Sequence, residues 1–198
     1  MNISLILAHP DPDSFNHAIA HVAEEALLHE GHSVWFHDLY QEHFDPILPS
    51  HEIPRDAPLP PVLKIHCDEI GRADGIIIVH PNWWGMPPAI LKGWIDRVIR
   101  PQIAYRFLEG DKGEGVPVGL LRAKAAIVFN TANTPPNREN EVFGDPLERI
   151  WKDCVFGLCG VFPVYRDVFR VVVTSDDMMR KKWLHLVQAR VVQVFPKE

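Results

Sequence analysis

The sequence GIIIVHPNWWG, residues 75–85, joins an unbroken aliphatic run to a loop rich in tryptophan and proline. A strand that is apolar at every position is typical of a parallel sheet that is covered by helices on both faces. Residues 75–79 therefore predict a buried strand near the centre of such a sheet. The loop that begins at His80 would then lie at the carboxyl end of this strand.

Short apolar runs alternate with helical patterns on both sides of this strand. Strands are predicted at residues 3–7 and within residues 33–39, 124–130 and 164–173. Helices are predicted within residues 15–30, 62–72, 89–98, 147–158 and 175–194, the last of them starting at Ser175. This alternation predicts an α/β fold, with a five-stranded parallel sheet of order 2-1-3-4-5 and helices on both faces. We expect residues 1–198 to form a single domain.

Composition and charge bear on the partners of the protein. The chain is 46% hydrophobic and 23% charged, which is typical of a globular protein. Its net charge is -6 with histidine neutral, and its 20 Lys and Arg residues form no basic run, so we expect no nucleic-acid partner. No apolar stretch is long enough to cross a bilayer, and the N-terminus lacks the basic flank of a signal peptide. We therefore expect no membrane insertion and a cytoplasmic localisation.

The loop between the first predicted strand and the first predicted helix, residues 8–16, reads AHPDPDSFN. Ser14 can cap the helix, and the backbone N–H groups near Phe15 and Asn16 would then face an anion such as a phosphate. The loop has neither the GxGxxG pattern of a dinucleotide-binding strand–helix turn nor the lysine of a nucleotide-binding P-loop. The alternative interpretation is that Ser14 is only a helix cap.

The tryptophan loop suits a flat ligand. Prolines at residues 81, 87 and 88 stiffen it, Gly85 allows a close backbone approach, and Trp83 and Trp84 supply planar apolar surface. Backbone N–H groups of such a loop can also hydrogen-bond the polar edge of a ring system. The alternative is that both tryptophans fill a core or an interface.

A third loop, residues 129–136, reads FNTANTPP and follows the neighbouring predicted strand. Its short polar side chains are common in turns, so its composition alone carries little information. Its position carries more, because the carboxyl ends of adjacent parallel strands lie at the same edge of a sheet. We expect this loop to lie beside the tryptophan loop.

Two of these motifs together resemble a known family. His9-Pro10 followed by Ser14-Phe15-Asn16, and then PNWWGMP at residues 81–87 leading into AILKGW at residues 89–94, are similar to the signatures of the flavodoxin-like NAD(P)H:quinone oxidoreductases, the DT-diaphorase-like family. The similarity extends over nearly the whole chain. It implies a flavodoxin-like fold and a homodimer that binds a flavin non-covalently between its subunits.

The resemblance also implies which residues bind the flavin. By that similarity the flavin is FAD, favoured by Phe15, Asn16 and a phosphate-facing Arg180, with FMN as the alternative. The phosphates would be bound by the first loop, the isoalloxazine ring by the tryptophan loop, and the far edge of the ring by the third loop. The residues concerned are His9, Ser14, Phe15 and Asn16; Pro81, Asn82, Trp83, Trp84 and Gly85; and Asn130, Thr131, Ala132 and Asn133.

The implied activity is a two-electron transfer from NAD(P)H, the co-substrate, through the flavin to a quinone or a similar flat, electron-poor acceptor. The family carries a tyrosine and a histidine after the fourth strand, and Asn137 and Phe143 stand there in this sequence. The acceptor and the proton donor are therefore left open. His80 is a candidate donor from its position beside the loop, although a histidine at a strand end is more often structural.

Other functions stay open at this stage. One is a flavoprotein regulatory subunit of the potassium-efflux type, a second is a one-electron flavodoxin-like carrier, and a third is a flavin-free interaction domain. No metal site is expected, because His17 and His21 have helical spacing but Ala18 stands where HExxH carries glutamate. Both histidines are expected to face solvent.

Overall fold

The computed structural model describes residues 1–108, 110 and 115–197 of the predicted domain, residues 1–198. Its strands are β1 Asn2–Leu7, β2 Ser33–Asp38, β3 Gly75–Pro81, β4 Tyr105–Arg106, β5 Val118–Gly119, β6 Ala126–Ala132 and β7 Val164–Arg170. Among the described residues, five of these strands form one parallel sheet in the order β2-β1-β3-β6-β7, while β4 and β5 form a separate antiparallel pair. Numbered along the chain, the sheet has the predicted order 2-1-3-4-5, and the predicted fold is confirmed.

The helices lie where the periodicity predicts them, and the structure adds a π-helical segment, Arg138–Phe143, that was not predicted. They are α1 Phe15–His29, α2 Pro61–Arg72, α3 Ala89–Val98, α4 Pro146–Arg149 and α5 Asp177–Val194, and a π-helical segment, Ile150–Gly157, continues α4. The last helix begins after Asp176 rather than at Ser175, because the Asp176 carboxylate accepts a hydrogen bond from Met179 N at 2.7 Å. In the described part of the chain, no helix combines the length and the hydropathy needed to span a membrane.

Strand β3 explains why residues 75–79 are apolar at every position. All seven of its residues are buried. Ile77 and Val79 pack in the core beneath α1 and α5, whereas Ile76 and Ile78 pack in the core on the opposite face, beneath α2 and α3. Successive side chains of a strand point to opposite faces, so a strand between two helical layers has no solvent-facing position.

The long connection between β2 and α2 is fixed to helix α3 by a buried ion pair. Arg97 Nη2 lies 2.7 Å from Glu52 Oε1, and Arg97 Nη1 donates to the Asp45 carbonyl oxygen at 2.6 Å. Gly93, one turn earlier on the same helix, faces Pro46 so closely that a Cβ atom there would overlap the Pro46 carbonyl oxygen. Glycine at residue 93 therefore permits the contact between α3 and the connection.

Replacement of Gly93 by alanine tests this contact against a matched glycine. We expect Gly93→Ala to lower the free energy of unfolding by about 1–3 kcal/mol, because the new methyl group overpacks the contact with Pro46. In α2 the nearest atom to a Cβ built at Gly71 is Ile103 Cγ2, at an ordinary 3.7 Å. Gly71→Ala should therefore raise the free energy of unfolding, by up to about 1 kcal/mol from helix propensity. Urea unfolding of both variants measures the difference, and equal effects would contradict the account.

Candidate functional site

A cavity of about 290 Å³ opens where the carboxyl ends of β1, β3 and β6 meet. The strand order reverses direction at β1, because β2 lies on one side of it and β3 on the other. In open α/β sheets, ligands bind in the crevice at such a reversal. The lining residues are His9, Ser14, Phe15, Asn16, Pro81, Asn82, Trp83, Thr131, Ala132, Asn133, Thr134 and Val172. All three predicted loops therefore contribute to one cavity.

The first turn of α1 presents backbone donors to the cavity. Ser14 is the N-cap, and its hydroxyl oxygen lies 3.4 Å from His17 N. The N–H groups of Phe15 and Asn16 have no hydrogen-bond partner within residues 1–108, 110 and 115–197, as expected in a first helical turn. Asn16 is buried and exchanges hydrogen bonds with the Thr131 hydroxyl at 2.9 and 3.2 Å, which ties this turn to the end of β6.

The tryptophan loop is a tight turn closed by its own backbone. Trp83 and Met86 exchange backbone hydrogen bonds at 3.1 and 3.0 Å, and the Asn82 side-chain oxygen accepts from Gly85 N at 2.9 Å. Trp84 and Gly85 have φ angles of 58° and 72°, the left-handed conformation at both central positions of such a turn. This conformation directs Trp83, 41% exposed, along the cavity wall and leaves Trp84 fully exposed.

Three of the predicted flavin-binding residues, Trp84, Gly85 and Asn130, do not line the cavity. Asn130 lies on the opposite face of β6 from Thr131, because neighbouring residues of a strand point to opposite faces. Its amide nitrogen donates to His80 Nε2 at 2.8 Å, and its oxygen accepts from Arg166 Nε at 2.7 Å. The side chain therefore belongs to a buried network below the cavity.

His80, the candidate proton donor, is at the centre of that network and fully buried. Its Nδ1 donates to the Pro81 carbonyl oxygen at 2.8 Å, so Nε2 carries the lone pair that accepts from Asn130 and from the Trp151 indole N–H at 2.9 Å. Burial lowers the pKa of His80 to about 3, and the positive charge of Arg166 acts in the same direction. The ring is therefore a neutral structural acceptor without access to the cavity.

Two cavity residues were not predicted from the sequence, Thr134 and Val172. Val172 lies in a 3-10 turn directly after β7, and Asn133 joins that turn to the third loop by accepting from Val173 N at 3.0 Å. The predicted strand order places the end of the fifth strand at the same edge of the sheet. This order was the signal in the sequence that could have identified Val172 as a cavity residue. Arg180, predicted to face a phosphate, donates instead to Ser175 Oγ at 2.9 Å and to the Val172 carbonyl oxygen at 3.4 Å.

His37, Glu42 and His66 have spacing that could suit a metal ion. His37 lies 2.7 Å from Glu42 and 2.6 Å from Glu69; burial alone would lower its pKa, but these two carboxylates raise it. Burial would raise the pKa of Glu42, but hydrogen bonds from the two histidines lower it to about 2. His66 Nδ1 accepts from the Trp94 indole N–H at 3.3 Å, so its Nε2 carries the proton that faces Glu42. A metal ion could bind these three side chains only with release of the ring protons that now face the carboxylates.

Comparisons with known proteins agree with this architecture. A family model described as a flavodoxin-like fold matches residues 1–188. An uncharacterized NAD(P)H oxidoreductase of Haemophilus influenzae is 36% identical, over 94% of this chain and 92% of that protein. NAD(P)H dehydrogenase [quinone] 1 of Cavia porcellus is 33% identical, but the match spans 52% of this chain and 44% of that protein.

A solved structure is similar over nearly its whole length. The NAD(P)H:quinone oxidoreductase of Methanothermobacter marburgensis superimposes with a TM-score of 0.82 at 27% sequence identity. The superposition covers 96% of this chain and 95% of that one. The similarity therefore extends over nearly the whole fold.

The buried position of His80 predicts its protonation state. We expect the ring nitrogen chemical shifts of His80 to remain those of the neutral, Nδ1-protonated form down to pH 5, whereas a histidine in an unfolded reference peptide protonates near pH 6.5. Because only the unfolded state takes up this proton, the residue should lower the free energy of unfolding by about 1.4 kcal/mol for each pH unit below 6.5. Nitrogen NMR measures the shifts, and an imidazolium signal from His80 above pH 5 would contradict the assignment.

Proposed function

Since the chain belongs to the flavodoxin-like family of NAD(P)H:quinone oxidoreductases and is an oxidoreductase, we propose that it passes two electrons from NAD(P)H through a bound flavin to a quinone-like acceptor. The observation that carries the proposal is the single cavity at the ends of β1, β3 and β6. The unpaired backbone donors at the start of α1, the Trp83 ring and the short polar groups of the third loop meet there. Those are the surfaces that a flavin requires.

The phosphate end of the flavin fits the start of α1. The N–H groups of Phe15 and Asn16 and the hydroxyl of Ser14 face one side of the cavity, at the positive end of a 15-residue helix. Such an arrangement favours an anion through both the free donors and the helix dipole. We propose FAD as the flavin and FMN as the alternative, since the donors at this turn suit the phosphate of either.

The ring end of the flavin fits the other two loops. Trp83 offers an aromatic surface, and Thr131, Ala132 and Asn133 offer backbone and short polar groups at the opposite wall. When bound, a flavin accepts a hydride from reduced nicotinamide and delivers two electrons to an acceptor. The protein's contribution is then to hold the ring against Trp83, to orient the co-substrate and to exclude water.

This chain differs from the family pattern at the two positions that could supply a proton. Asn137 and Phe143 stand where the family carries tyrosine and histidine. Neither side chain is an acid or a base, and Phe143 is half exposed, with the Arg138 guanidinium 5.3 Å from its ring centroid. The His80 side chain is fully buried and does not reach the cavity. We therefore propose that the reduced acceptor takes its protons from water rather than from a side chain of this loop.

A second copy of the chain would complete the site. The cavity is at the lower limit of ligand pockets, which occupy about 300–1,000 Å³. Beside it lie exposed apolar side chains of the tryptophan loop, Trp84 and Met86, and of residues 138–143, Val142 and Phe143. Exposed apolar surface of this kind marks an interface, so we propose a homodimer with the flavin near the contact. The cytoplasmic localisation stays a prediction from the sequence.

An anaerobic titration tests the proposed activity. Purified protein incubated with FAD or FMN and freed of excess should bind flavin, lose the flavin absorbance band on addition of NADH or NADPH, and regain it on addition of menadione. The donor that bleaches the band faster is the preferred co-substrate. Bound flavin that neither donor reduces would contradict the enzyme and favour the regulatory subunit or the one-electron carrier.

Replacement of Trp83 tests the proposed aromatic wall. We expect Trp83→Ala to weaken flavin binding at least about tenfold, because a flat apolar contact with the ring is lost. Trp83→Phe keeps an aromatic face and should remain within about threefold of the parent. Quenching of flavin fluorescence measures both affinities. Equal affinities for the parent and the alanine variant would show that Trp83 does not contact the flavin.

A charge at residue 84 tests the proposed dimer. We expect Trp84→Glu to shift the protein from dimer to monomer in sedimentation velocity, because an ionised carboxylate cannot be buried in an apolar contact without a large desolvation cost. Leu28→Glu, at another exposed apolar residue on the far end of α1, should leave the dimer intact. A parent protein that is monomeric at all concentrations, or a dimer insensitive to Trp84→Glu, would overturn the proposed interface.

A further inference from the structure

A chain of hydrogen bonds leads from the cavity into the protein through Ser14, His17 and Asp38. Ser14 Oγ lies 3.0 Å from His17 Nδ1, and His17 Nε2 lies 2.9 Å from Asp38 Oδ2. His17 is buried, which shows that the expected solvent-facing position of this residue was wrong. Packing of α1 against the end of β2, where Asp38 lies, explains the difference, because helical spacing alone does not include that neighbour.

The partners of Asp38 determine where the protons of this chain lie. Its Oδ1 accepts from the backbone N–H groups of Tyr40 and Gln41 at 3.1 and 3.2 Å, which leaves Oδ2 as the acceptor that faces His17. Its Oδ2 then accepts from His17 Nε2–H. Nδ1 of the neutral imidazole is left as an acceptor, and Ser14 is the group that faces it.

The Ser14 hydroxyl therefore has two arrangements. With His17 neutral, the hydroxyl donates to Nδ1 and turns its hydrogen away from the cavity. With His17 doubly protonated, Nδ1–H donates to Ser14 Oγ, and the hydroxyl hydrogen is free to point into the cavity beside the N–H groups of Phe15 and Asn16. An anion in the cavity gains one donor and a nearby positive charge in the second arrangement only.

We propose that His17, held by Asp38, is a positioning residue that turns the Ser14 hydroxyl toward the flavin phosphate, so that binding of the phosphate is coupled to uptake of a proton by His17. This inference rests on the proposed function. It adds a protonation step to flavin binding. The step is assigned to His17 and Asp38, a pair that does not line the proposed flavin cavity.

Charged and titratable groups face His17 from three parts of the fold. Asp38, at the end of β2, supplies the negative charge, while the positive end of α1 opposes it. His9 from the loop after β1 and His21 from α1 have ring centroids 6.4 and 6.5 Å away. Burial lowers the pKa of His9; the hydrogen bond with the Asp11 backbone opposes this, the charge of His17 lowers the pKa further, and the charges of Asp11 and Asp38 raise it.

A second cavity gives the proton a route to solvent. It measures about 610 Å³ and lies on the other side of the loop after β1, with His9 lining both cavities. His17 and Asp38 line it, together with the titratable side chains of His21, Tyr40 and His43. His17 can therefore exchange its proton with water while the first cavity holds a ligand.

Isothermal titration calorimetry in two buffers of different ionisation enthalpy counts the protons directly. FAD and FMN are the ligands, and riboflavin is the matched ligand without phosphate, used at pH 7 to 9 where the FMN phosphate is already doubly ionised. We expect net proton uptake of at most one proton per FAD or FMN, an affinity that falls as the pH rises by no more than about tenfold per pH unit, and no uptake with riboflavin. This readout requires neither a variant nor catalytic turnover.

Variants locate the proton. His17→Gln should abolish the proton uptake and the pH dependence of FAD binding while leaving riboflavin affinity unchanged, and His21→Gln should retain both effects. Flavin binding with no proton uptake, or uptake that persists in His17→Gln, would overturn the inference and leave the proposed function standing. No binding of FAD, FMN or riboflavin would overturn the proposed function and this inference together.

Discussion

The burial of strand β3 on both faces is the constraint on which the rest of the structure depends. Seven consecutive residues of this strand are buried, and one helical layer covers each face. No side chain along such a strand reaches solvent, so the polar groups that can bind a ligand lie where the strand ends. The parallel pairing of β3 with β1 and β6 brings the ends of all three to one edge, and the cavity forms between the loops that follow.

A buried polar network lies beneath that edge of the sheet. His80 accepts hydrogen bonds from Trp151 and Asn130, and Arg166 joins Asn130 to the carboxylates of Asp145 and Glu148. Among the described residues, Asp145 Oδ1 and Arg166 Nη2 of this network have no hydrogen-bond partner, so the network holds the strand ends together through its paired donors and acceptors alone. The loops above it carry the ligand-facing groups, while the network below fixes their positions.

The sequence predicts those features that depend on periodicity and on strand order. The parallel sheet and the meeting of the three loops follow from alternation alone. Asn130 was assigned to the flavin from the family resemblance, but β6 continues to Ala132 and places the Asn130 side chain on the opposite face from Thr131. Trp84 was assigned for its ring, but its left-handed backbone directs it to solvent. His17 pairs with a residue 21 positions away, which no local pattern reveals.

The central claim is that the edge formed by β1, β3 and β6 holds a flavin with its phosphate at the start of α1 and its ring against Trp83. A crystal structure of the protein grown with FAD or FMN tests this most directly. We expect phosphate density within hydrogen-bond distance of the N–H groups of Phe15 and Asn16, and a planar ring between Trp83 and residues 131–133. Flavin density elsewhere on the molecule, or side chains closing an empty cavity in crystals soaked at saturating flavin, would contradict it.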